Sequence, residues 1–335
     1  WKTVTGMVET GGMPPEGESQ PTADERDAFL RVVRGVFERA ARDAKPDPGR
    51  VTMRRLNRTE YRNTIRDLIG VDFDPAEDFP SDDIGHGFDN IGDVLTMSPV
   101  LMERYLAAAE SIMQRAIPLN PPAPTKRGRE SPEDTRPANQ QRLLACAADA
   151  TQAEQTREVL RRFATRAYRR PATSDEVERL AGLAESAIQG GQSWEAGVQL
   201  AMQAVLCSPK FLFRAELDER PDNPEVRPLD EYQLASRLSY FLWSSMPDEA
   251  LSELAAKNQL RANLDAQVSR MLQDPKSEAL VENFALQWLQ LKRLDSFAPD
   301  PQRFPRFSNR LGASMLEETK RFFASVMRED RSIVE

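Results

Sequence analysis

The sequence has few of the residue types from which disulfide, metal and histidine-based catalytic sites are built. Of its 335 residues, two are cysteine (Cys146 and Cys207) and one is histidine (His86). Two distant cysteines exclude a disulfide framework and a cysteine zinc site, and a single histidine excludes a histidine-rich metal cluster. The sequence also lacks Gly-x-Gly-x-x-Gly, Walker, Gly-x-Ser-x-Gly and His-Glu-x-x-His motifs, so it shows no signature of these common nucleotide, hydrolase or zinc sites.

Long apolar runs and an excess of basic residues are absent as well. No run approaches the roughly 18 apolar residues that span a bilayer, so we expect no transmembrane segment. The net charge is -8, from 45 basic and 53 acidic residues, which opposes binding to nucleic acid. The chain starts without a secretory leader pattern and ends within a helical pattern, so we expect it to be a piece of a longer protein.

Helical periodicity is present along nearly the whole chain. Apolar residues recur at helical spacing behind capping-box pairs such as Thr22 with Glu25, Asn57 with Glu60 and Thr173 with Glu176. No segment of convincing length alternates apolar and polar residues as a strand would. The sequence therefore predicts an all-α protein of several small helical domains in tandem, joined by proline-rich linkers and containing one long acidic loop.

Two stretches rich in proline and charge divide the helical pattern. Residues 118–142 and the shorter "PDNPEVRP" have almost no large apolar side chains, which is typical of a linker or an exposed loop. We predict four domains, the last truncated at its C-terminus, with the boundaries 1–48, 49–117, 143–218 and 228–335.

The acidic loop, residues 72–93, contains eight acidic side chains and no lysine or arginine. Several arginines immediately precede it, so we expect arginine–carboxylate pairs to fold the loop back, with Phe73, Phe79 and Phe88 among its apolar anchors. The alternative interpretation is a calcium site, because aspartate and asparagine oxygens suit this ion, although the spacing of a recognised calcium loop is absent. The candidate calcium ligands are Asp82, Asp83, Asp89, Asn90 and Asp93.

His86 lies between two glycines of the acidic loop. It is a candidate general base if Asp83 or Asp89 orients it. A surface histidine without a catalytic role is the favoured interpretation, because no nucleophile or metal motif lies near it. The sequence therefore assigns no catalytic residue. The aromatic residues Tyr240, Phe241, Trp243, Phe284 and Trp288 recur at helical spacing, which favours a packed core over a cofactor site.

The stretch "GGMPPEG", residues 11–17, places Met13 on a Gly-Gly turn followed by two prolines. We expect Met13 to lie on a turn between two helices and outside any large packed core. A thioether in such a position is a candidate axial ligand of a c-type haem. The alternative interpretation is an ordinary helix end, in which glycine is the C-cap and proline prevents the helix from continuing.

Three long stretches resemble planctomycete-type domains of unknown function that occur in tandem. The segment "RRLNRTEYRNTIRDLIG" with the acidic loop and "SPVLMERYLAAA" resembles the first domain. The segments from "FATRAYRRPATSDEVERL" to "AVLCSPKFLFRAE" resemble the second, and those from "LDEYQLASRLSYFLWSS" to "MREDRSIVE" the third. In this family the domains follow a c-type cytochrome module. The stretch "WKTVTGMVETGGMPPEGESQPTADERDAFLRVV" resembles the C-terminal end of that module.

The resemblance implies that residues 1–48 end the cytochrome module and that Met13 is the axial ligand of its haem c. The sequence has no Cys-x-x-Cys-His motif, so this chain alone cannot attach haem. A cysteine pair expected in the second domain is reduced here to Cys146, so we expect no disulfide. The family supplies no established activity and no catalytic residues.

The combined patterns favour a fragment of an exported, envelope-associated, haem-linked redox protein, periplasmic or at the cell surface. Its helical domains would dock a redox partner or hold a substrate. The alternative is a non-catalytic helical scaffold that joins an envelope assembly, and a hydrolase is disfavoured because no acid–base pair stands out. A deep pocket lined by acidic groups and His86 would favour an enzyme, whereas a flat apolar surface patch would favour the scaffold.

Overall fold

The computed structural model describes residues 1–15, 17–43, 53–119, 138–216, 227–297, 299–332 and 334. These residues form two compact units, the first made of residues 1–43 and the second of the described residues from 53 onward. The fold is all-α, as predicted, and in the part of the chain that the structure describes the strands form one two-stranded antiparallel pair. Within the described residues, no helix combines the length and apolar character needed to cross a bilayer.

The first unit consists of α1 (Lys2–Glu9) and α2 (Ala23–Asp43). The predicted capping box is present at the start of α2, because the Glu25 amide donates to the Thr22 hydroxyl and the Thr22 amide donates to the Glu25 carboxylate. An Arg34–Glu9 ion pair of 2.6 Å connects the two helices. Among the described residues of this unit only Leu30 is buried, and Val32 remains 64% exposed. Two helices are too few to enclose a core.

The second unit begins with three segments that share one core. The first segment contains β1 (Arg54–Arg55), α3 (Arg58–Ile69), α4 (Pro75–Asp78) and α5 (Pro99–Ala116). The next contains α6 (Ala138–Leu144), α7 (Gln152–Tyr168), α8 (Ser174–Gln189) and α9 (Trp194–Leu206). The third contains α10 (Pro209–Leu212) and β2 (Phe213–Arg214), which pairs antiparallel with β1.

The last part of the second unit has its own smaller core. It contains α11 (Glu231–Trp243), α12 (Glu249–Ala256) and α13 (Leu264–Gln273). It continues with a composite helix of α14 (Glu278–Leu280), a π-helical turn (Val281–Ala285) and α15 (Leu286–Trp288), and closes with α16 (Asn309–Glu329). Short 3-10 turns lie at Arg261–Asn263, Pro275–Ser277 and Leu291–Ser296.

The predicted linker 118–142 differs from the structure at its end. Residues 120–137 lie outside the described residues, but residues 138–142 belong to α6, in which Gln140, Leu143 and Leu144 are buried. The burial of these three side chains against the shared core explains why a polar-looking stretch becomes helical. Most of the second predicted linker also lies outside the described residues.

Helices on either side of the first predicted linker, residues 118–142, pack against each other. The Gln199 side chain on α9 donates to the carbonyls of Met113 and Ile117 at the end of α5, at 3.1 and 3.0 Å. Ile117 is the residue at which α5 ends, and its carbonyl is one that a helix end leaves without an intrahelical partner, whereas the Met113 carbonyl also accepts from the Ile117 amide. Gln199 therefore caps α5 across the interface, and the predicted domains 49–117 and 143–218 pack as one body.

The acidic loop is ordered by aromatic anchors and by arginine. Phe73 and Phe79 are buried and pack around Tyr61, with ring centroids 6.1 and 5.3 Å away. Arg55 pairs with Asp82 at 2.7 Å, and both side chains are more than nine-tenths buried. The expected arginine–carboxylate pairing is therefore present, and this pair lies in the interior rather than at the exposed surface.

We predict that Asp82→Asn destabilises the protein by about 3 kcal/mol or more, because it leaves the buried Arg55 guanidinium without its counter-charge. The matched control is Asp72→Asn in the same loop, whose partner Arg62 is 44% exposed, and which should cost less than about 1 kcal/mol. Urea unfolding of the three proteins measures the difference. Equal midpoints for the two variants would contradict the burial argument.

Candidate functional site

The most developed concave site in the second unit is a cavity of about 620 Å³, here termed the junction cavity. Its walls come from β1 and the start of α3, from the acidic loop, from β2, and from α11, α13 and the composite α14–α15 helix. Ligand sites for small molecules commonly have volumes of about 300–1,000 Å³ and often lie where domains meet. The junction cavity therefore has the size and the place of a ligand site.

One end of the cavity is a charged network around Glu60. Strand pairing places Arg54 directly opposite Arg214, so their side chains share one face. Glu60 lies between them and is 3% exposed. Arg54 donates two hydrogen bonds to its carboxylate, at 2.6 and 2.7 Å, whereas the nearest Arg214 nitrogen is 3.8 Å away.

The capping box of α3 fixes Glu60 in this position. The Glu60 amide donates to the Asn57 side chain at 2.8 Å, and the Asn57 amide donates to the Glu60 carboxylate at 3.3 Å. Burial alone would raise the pKa of Glu60, but the Arg54 charge and hydrogen bonds and the Arg214 charge outweigh it and hold this pKa below its usual range. Glu60 is therefore a permanent anion at neutral pH.

Arg214 has the less favourable environment of the two arginines. Burial, together with the neighbouring Arg54 charge, lowers the pKa of Arg214 to about 10, despite the opposing influence of Glu60. Its Nε is buried and lacks a hydrogen-bond partner in the described structure. Its guanidinium lies over the Tyr240 ring at 4.8 Å, a contact that offsets part of the lost hydration.

Tyr240 joins the charged end to the rest of the molecule. Its hydroxyl lies 2.9 Å from the Thr64 hydroxyl and accepts from Arg169 at 3.3 Å. Arg169 ends α7 with a left-handed backbone (φ 59°) and also donates to the carbonyls of Phe211 and Phe213 beside β2. A distant helix end therefore fixes both the ring and the strand that carries Arg214.

The opposite wall is aromatic. Phe88 of the acidic loop stacks on Phe284 with centroids 5.9 Å apart, and Phe241 contacts the same ring edge-on at 6.5 Å. Phe284 lies in the π-helical turn, a geometry that often marks functional sites. Of the aromatic set that periodicity assigned to a core, Tyr240 and Trp243 are buried, but Phe241 is 59% exposed and Trp288 58% exposed.

Asp89 connects the acidic loop to the start of α3 and to the region of α15. Its carboxylate accepts from Asn57 at 2.9 Å, from Gln287 at 3.1 Å and from Lys292 at 3.1 Å, while its amide donates to the Gln287 side chain. This network joins the start of α3, the loop and α15. Three elements that are far apart in the sequence therefore meet at one carboxylate.

The candidate calcium ligands have other partners or face solvent. Asp82 accepts from Arg55 and from the Arg58 amide, and Asp89 has the partners described above. The side chains of Asp83, Asn90 and Asp93 are exposed. Across the described part of the chain, no group of three or more His, Cys, Asp or Glu side chains is arranged to hold a metal ion. The geometry of these residues does not support calcium binding, which stays a prediction.

His86 lies at the exposed tip of the loop, in a tight turn closed by the Gly85–Phe88 bridge, with a left-handed backbone (φ 52°). It is not among the residues that line the junction cavity, whose acidic members are Glu60 and Asp89. The structure therefore places the sequence-predicted base outside the cavity.

Met13 occupies a turn between α1 and α2, as predicted, and its side chain is 42% exposed. The turn is closed by the Gly12 and Met13 amides, which both donate to the Met7 carbonyl at 2.7 and 3.2 Å. Gly11 has φ 70°, which glycine adopts without strain, and the Met13–Pro14 peptide is cis. The thioether is therefore presented at the surface on a fixed turn.

Comparison with known families matches three segments of the chain. Residues 54–118 match PSD3, a protein of unknown function (DUF1587), residues 155–216 match PSD5 (DUF1595) and residues 229–335 match PSD4 (DUF1592). The chain carries these three planctomycete-type domains in tandem. Neither a curated protein nor a solved structure matches the chain. The matched residues begin at residue 54, so the cytochrome module stays a prediction.

The junction cavity is built by all three domains together. The PSD3 domain supplies Glu60 and Asp89, the PSD5 domain supplies Arg214, and the PSD4 domain supplies Tyr240 and Phe284. Sequence reasoning did not find this site, because Arg214 lies on a two-residue strand that has no detectable pattern. An arginine that sits among apolar residues just before a linker was the one available signal.

We predict that Glu60→Gln destabilises the protein by about 3–5 kcal/mol at neutral pH, because two arginines then face each other without the shared anion. The control is Glu253→Gln, which removes an exposed pair with Lys257 and should cost less than about 1 kcal/mol. Chemical denaturation at neutral pH measures both.

The same variant has a predicted pH signature. Because the folded pKa of Glu60 lies below its unfolded value of 4.5, its contribution is complete above about pH 4.5 and is lost as the pH falls through the folded pKa. The stability difference between wild type and Glu60→Gln should therefore shrink below pH 4.5. A difference that is constant from neutral pH into that range would contradict the assignment.

Proposed function

We propose that this chain is part of an exported, envelope-associated, haem-linked redox protein. In this proposal, residues 1–43 end a c-type cytochrome module and the PSD domains hold a substrate or dock a redox partner. The single observation that carries the haem assignment is Met13, a soft thioether exposed on a fixed turn between two helices. Methionine opposite histidine is a common axial ligand pair of c-type cytochromes and raises the potential of the haem.

The apolar surface of the first unit supports the same proposal. Several large apolar side chains of α1 and α2 are exposed, including Met7, Phe29, Val32, Val36 and Phe37. Soluble proteins rarely leave so many apolar side chains uncovered on so small a unit, and such surfaces normally mark a site of contact. A haem and the remainder of a cytochrome module would cover them.

This chain supplies one of the groups that a c-type haem requires. Met13 can serve as one axial ligand, but the sequence contains no Cys-x-x-Cys-His motif. In the proposal the thioether attachment and the opposite histidine come from an upstream segment of the parent protein. When bound, haem c supplies one-electron transfer, and the contribution of this chain is to hold the Met13 sulfur in place.

The junction cavity supports the second half of the proposal. A charged end and an aromatic wall built from three domains form a concave site of about 620 Å³, which supports substrate binding rather than docking on a flat surface. The described residues provide no catalytic pair with a nucleophile and base in contact, so we assign the cavity a binding role.

A non-catalytic scaffold at the cell surface is the second candidate, and α16 favours it. Leu311, Met315 and Phe322 lie on this helix and are all at least 43% exposed, so they leave an apolar strip uncovered. Such a strip is suited to contact with another protein. The scaffold does not require Met13 to bind iron, which makes the haem test decisive between the two candidates.

We predict that an upstream-extended protein matured with haem shows the near-infrared methionine–iron band and that Met13→Ala abolishes it. The matched control is Met7→Ala, because Met7 belongs to the same unit and is equally exposed, at 46% against 42%. Absorbance spectra of the oxidised proteins measure the band. If the band survives Met13→Ala, or disappears in both variants alike, the ligand assignment is wrong; a wild type without haem would favour the scaffold.

A further inference from the structure

The junction cavity contains a buried cation that lacks an anion of its own. The Arg214 side chain is 15% exposed, its buried Nε has no hydrogen-bond partner in the described structure, and its nearest terminal nitrogen lies 3.8 Å from the Glu60 carboxylate. Among the described residues, the carboxylate near it is that of Glu60, whose two oxygens already accept hydrogen bonds from Arg54. A guanidinium carries five N–H donors, and burying them without acceptors is unfavourable.

The other charges around the cavity are matched in pairs. Arg54 is paired with Glu60, and Arg237 is paired with Glu216 through two hydrogen bonds. Asp89 is paired with Lys292. Of the described charges that line the cavity, the positive charge of Arg214 is therefore the one left uncompensated, beside the Tyr240 ring.

The remaining walls are suited to an apolar group. Phe88 and Phe284 stack, and the exposed Phe241 ring lies against Phe284. Leu234, Leu238 and Val268 complete this side. A ligand that covered these side chains would remove apolar surface from water, which favours binding.

We propose that the junction cavity binds an organic carboxylate with an apolar body, its carboxylate on Arg214 and its body against the Phe241–Phe284 wall. The inference deepens the proposed function, since it names the substrate class that the PSD domains would hold. A carboxylate matches the planar guanidinium and gives Arg214 the anion that Glu60 does not supply. Cations are excluded by the uncompensated positive charge, and small inorganic anions leave the aromatic wall uncovered.

Isothermal titration calorimetry of the chain with octanoate and 4-phenylbutyrate tests the proposal. Each acid is compared with its primary amide, which has the same body and no charge. We expect the acids to bind about 10- to 100-fold more tightly than the amides, because a hydrogen bond to a charged group is lost in the amide. The two acids also distinguish an alkyl body from an aryl body.

Four variants locate the carboxylate and the apolar body of the ligand. Arg214→Gln should reduce the preference for acid over amide to about 3-fold or less, and Arg214→Lys should retain part of it as a charge without the planar fork. Arg237→Gln is the matched control, since its charge is already paired with Glu216, and it should leave the preference unchanged. Phe241→Ala should weaken acid and amide equally, because it removes body contact only.

Three results would overturn the proposal. These are equal binding of acids and amides to the wild type, no heat with any probe up to its solubility limit, or loss of the preference in Arg237→Gln but not in Arg214→Gln. Circular dichroism of each variant separates lost binding from lost folding, and Arg214→Lys provides a second variant if Arg214→Gln does not fold.

The proposal and the haem assignment fail separately. Carboxylate binding is measured on the chain without haem and should be the same in Met13→Ala. The near-infrared band of the extended protein should in turn be the same in Arg214→Gln. A wild-type extended protein that lacks the band but still prefers acids over amides would refute the redox assignment alone. A wild type that has the band but shows no preference for acids would refute the ligand class alone.

Discussion

The second unit depends on one carboxylate shared by two guanidiniums. Antiparallel pairing of β1 with β2 brings Arg54 opposite Arg214, and like charges in that relation repel each other. Glu60 makes the pairing stable, because its buried carboxylate lies between the two guanidiniums. The strand pair, in turn, joins the PSD3 and PSD5 domains through backbone hydrogen bonds. The interaction is therefore both an interdomain connection and the floor of the cavity.

The same constraint explains why Glu60 binds Arg54 more closely than Arg214. Glu60 must cap α3, which sets its distance to Arg54 and turns its oxygens toward that residue. Arg214 is left with a weaker electrostatic attraction and the face of Tyr240. A group that is buried, charged and short of acceptors is costly to keep, and proteins often place such groups at functional sites. The uncompensated charge is the reason to regard the cavity as a binding site rather than a packing defect.

Local signals in the sequence predicted much of the fold but little of the site. The capping box Asn57–Glu60, the turn at Met13 and the return of the acidic loop to arginine were all readable, because each depends on neighbours in the chain. That Glu60 also meets Arg214 was not readable, since the pairing depends on a two-residue strand beyond two helical domains. Periodicity likewise assigned Phe241 and Phe284 to a core, because a wall of a cavity and a packed interior leave the same spacing. The helical start at Ala138 was missed because its burial is decided by distant partners.

The state of the Arg214 guanidinium is the most direct test of this account. Its Nε–H is shielded from water, so it should give a slowly exchanging arginine signal in nitrogen–proton correlation spectra, assigned by its absence in Arg214→Lys. The account predicts that octanoate shifts this signal by more than any other arginine Nε–H, and that octanamide leaves it in place. A signal that is unmoved by the carboxylate, or moved equally by the amide, would contradict the claim that Arg214 is short of an anion.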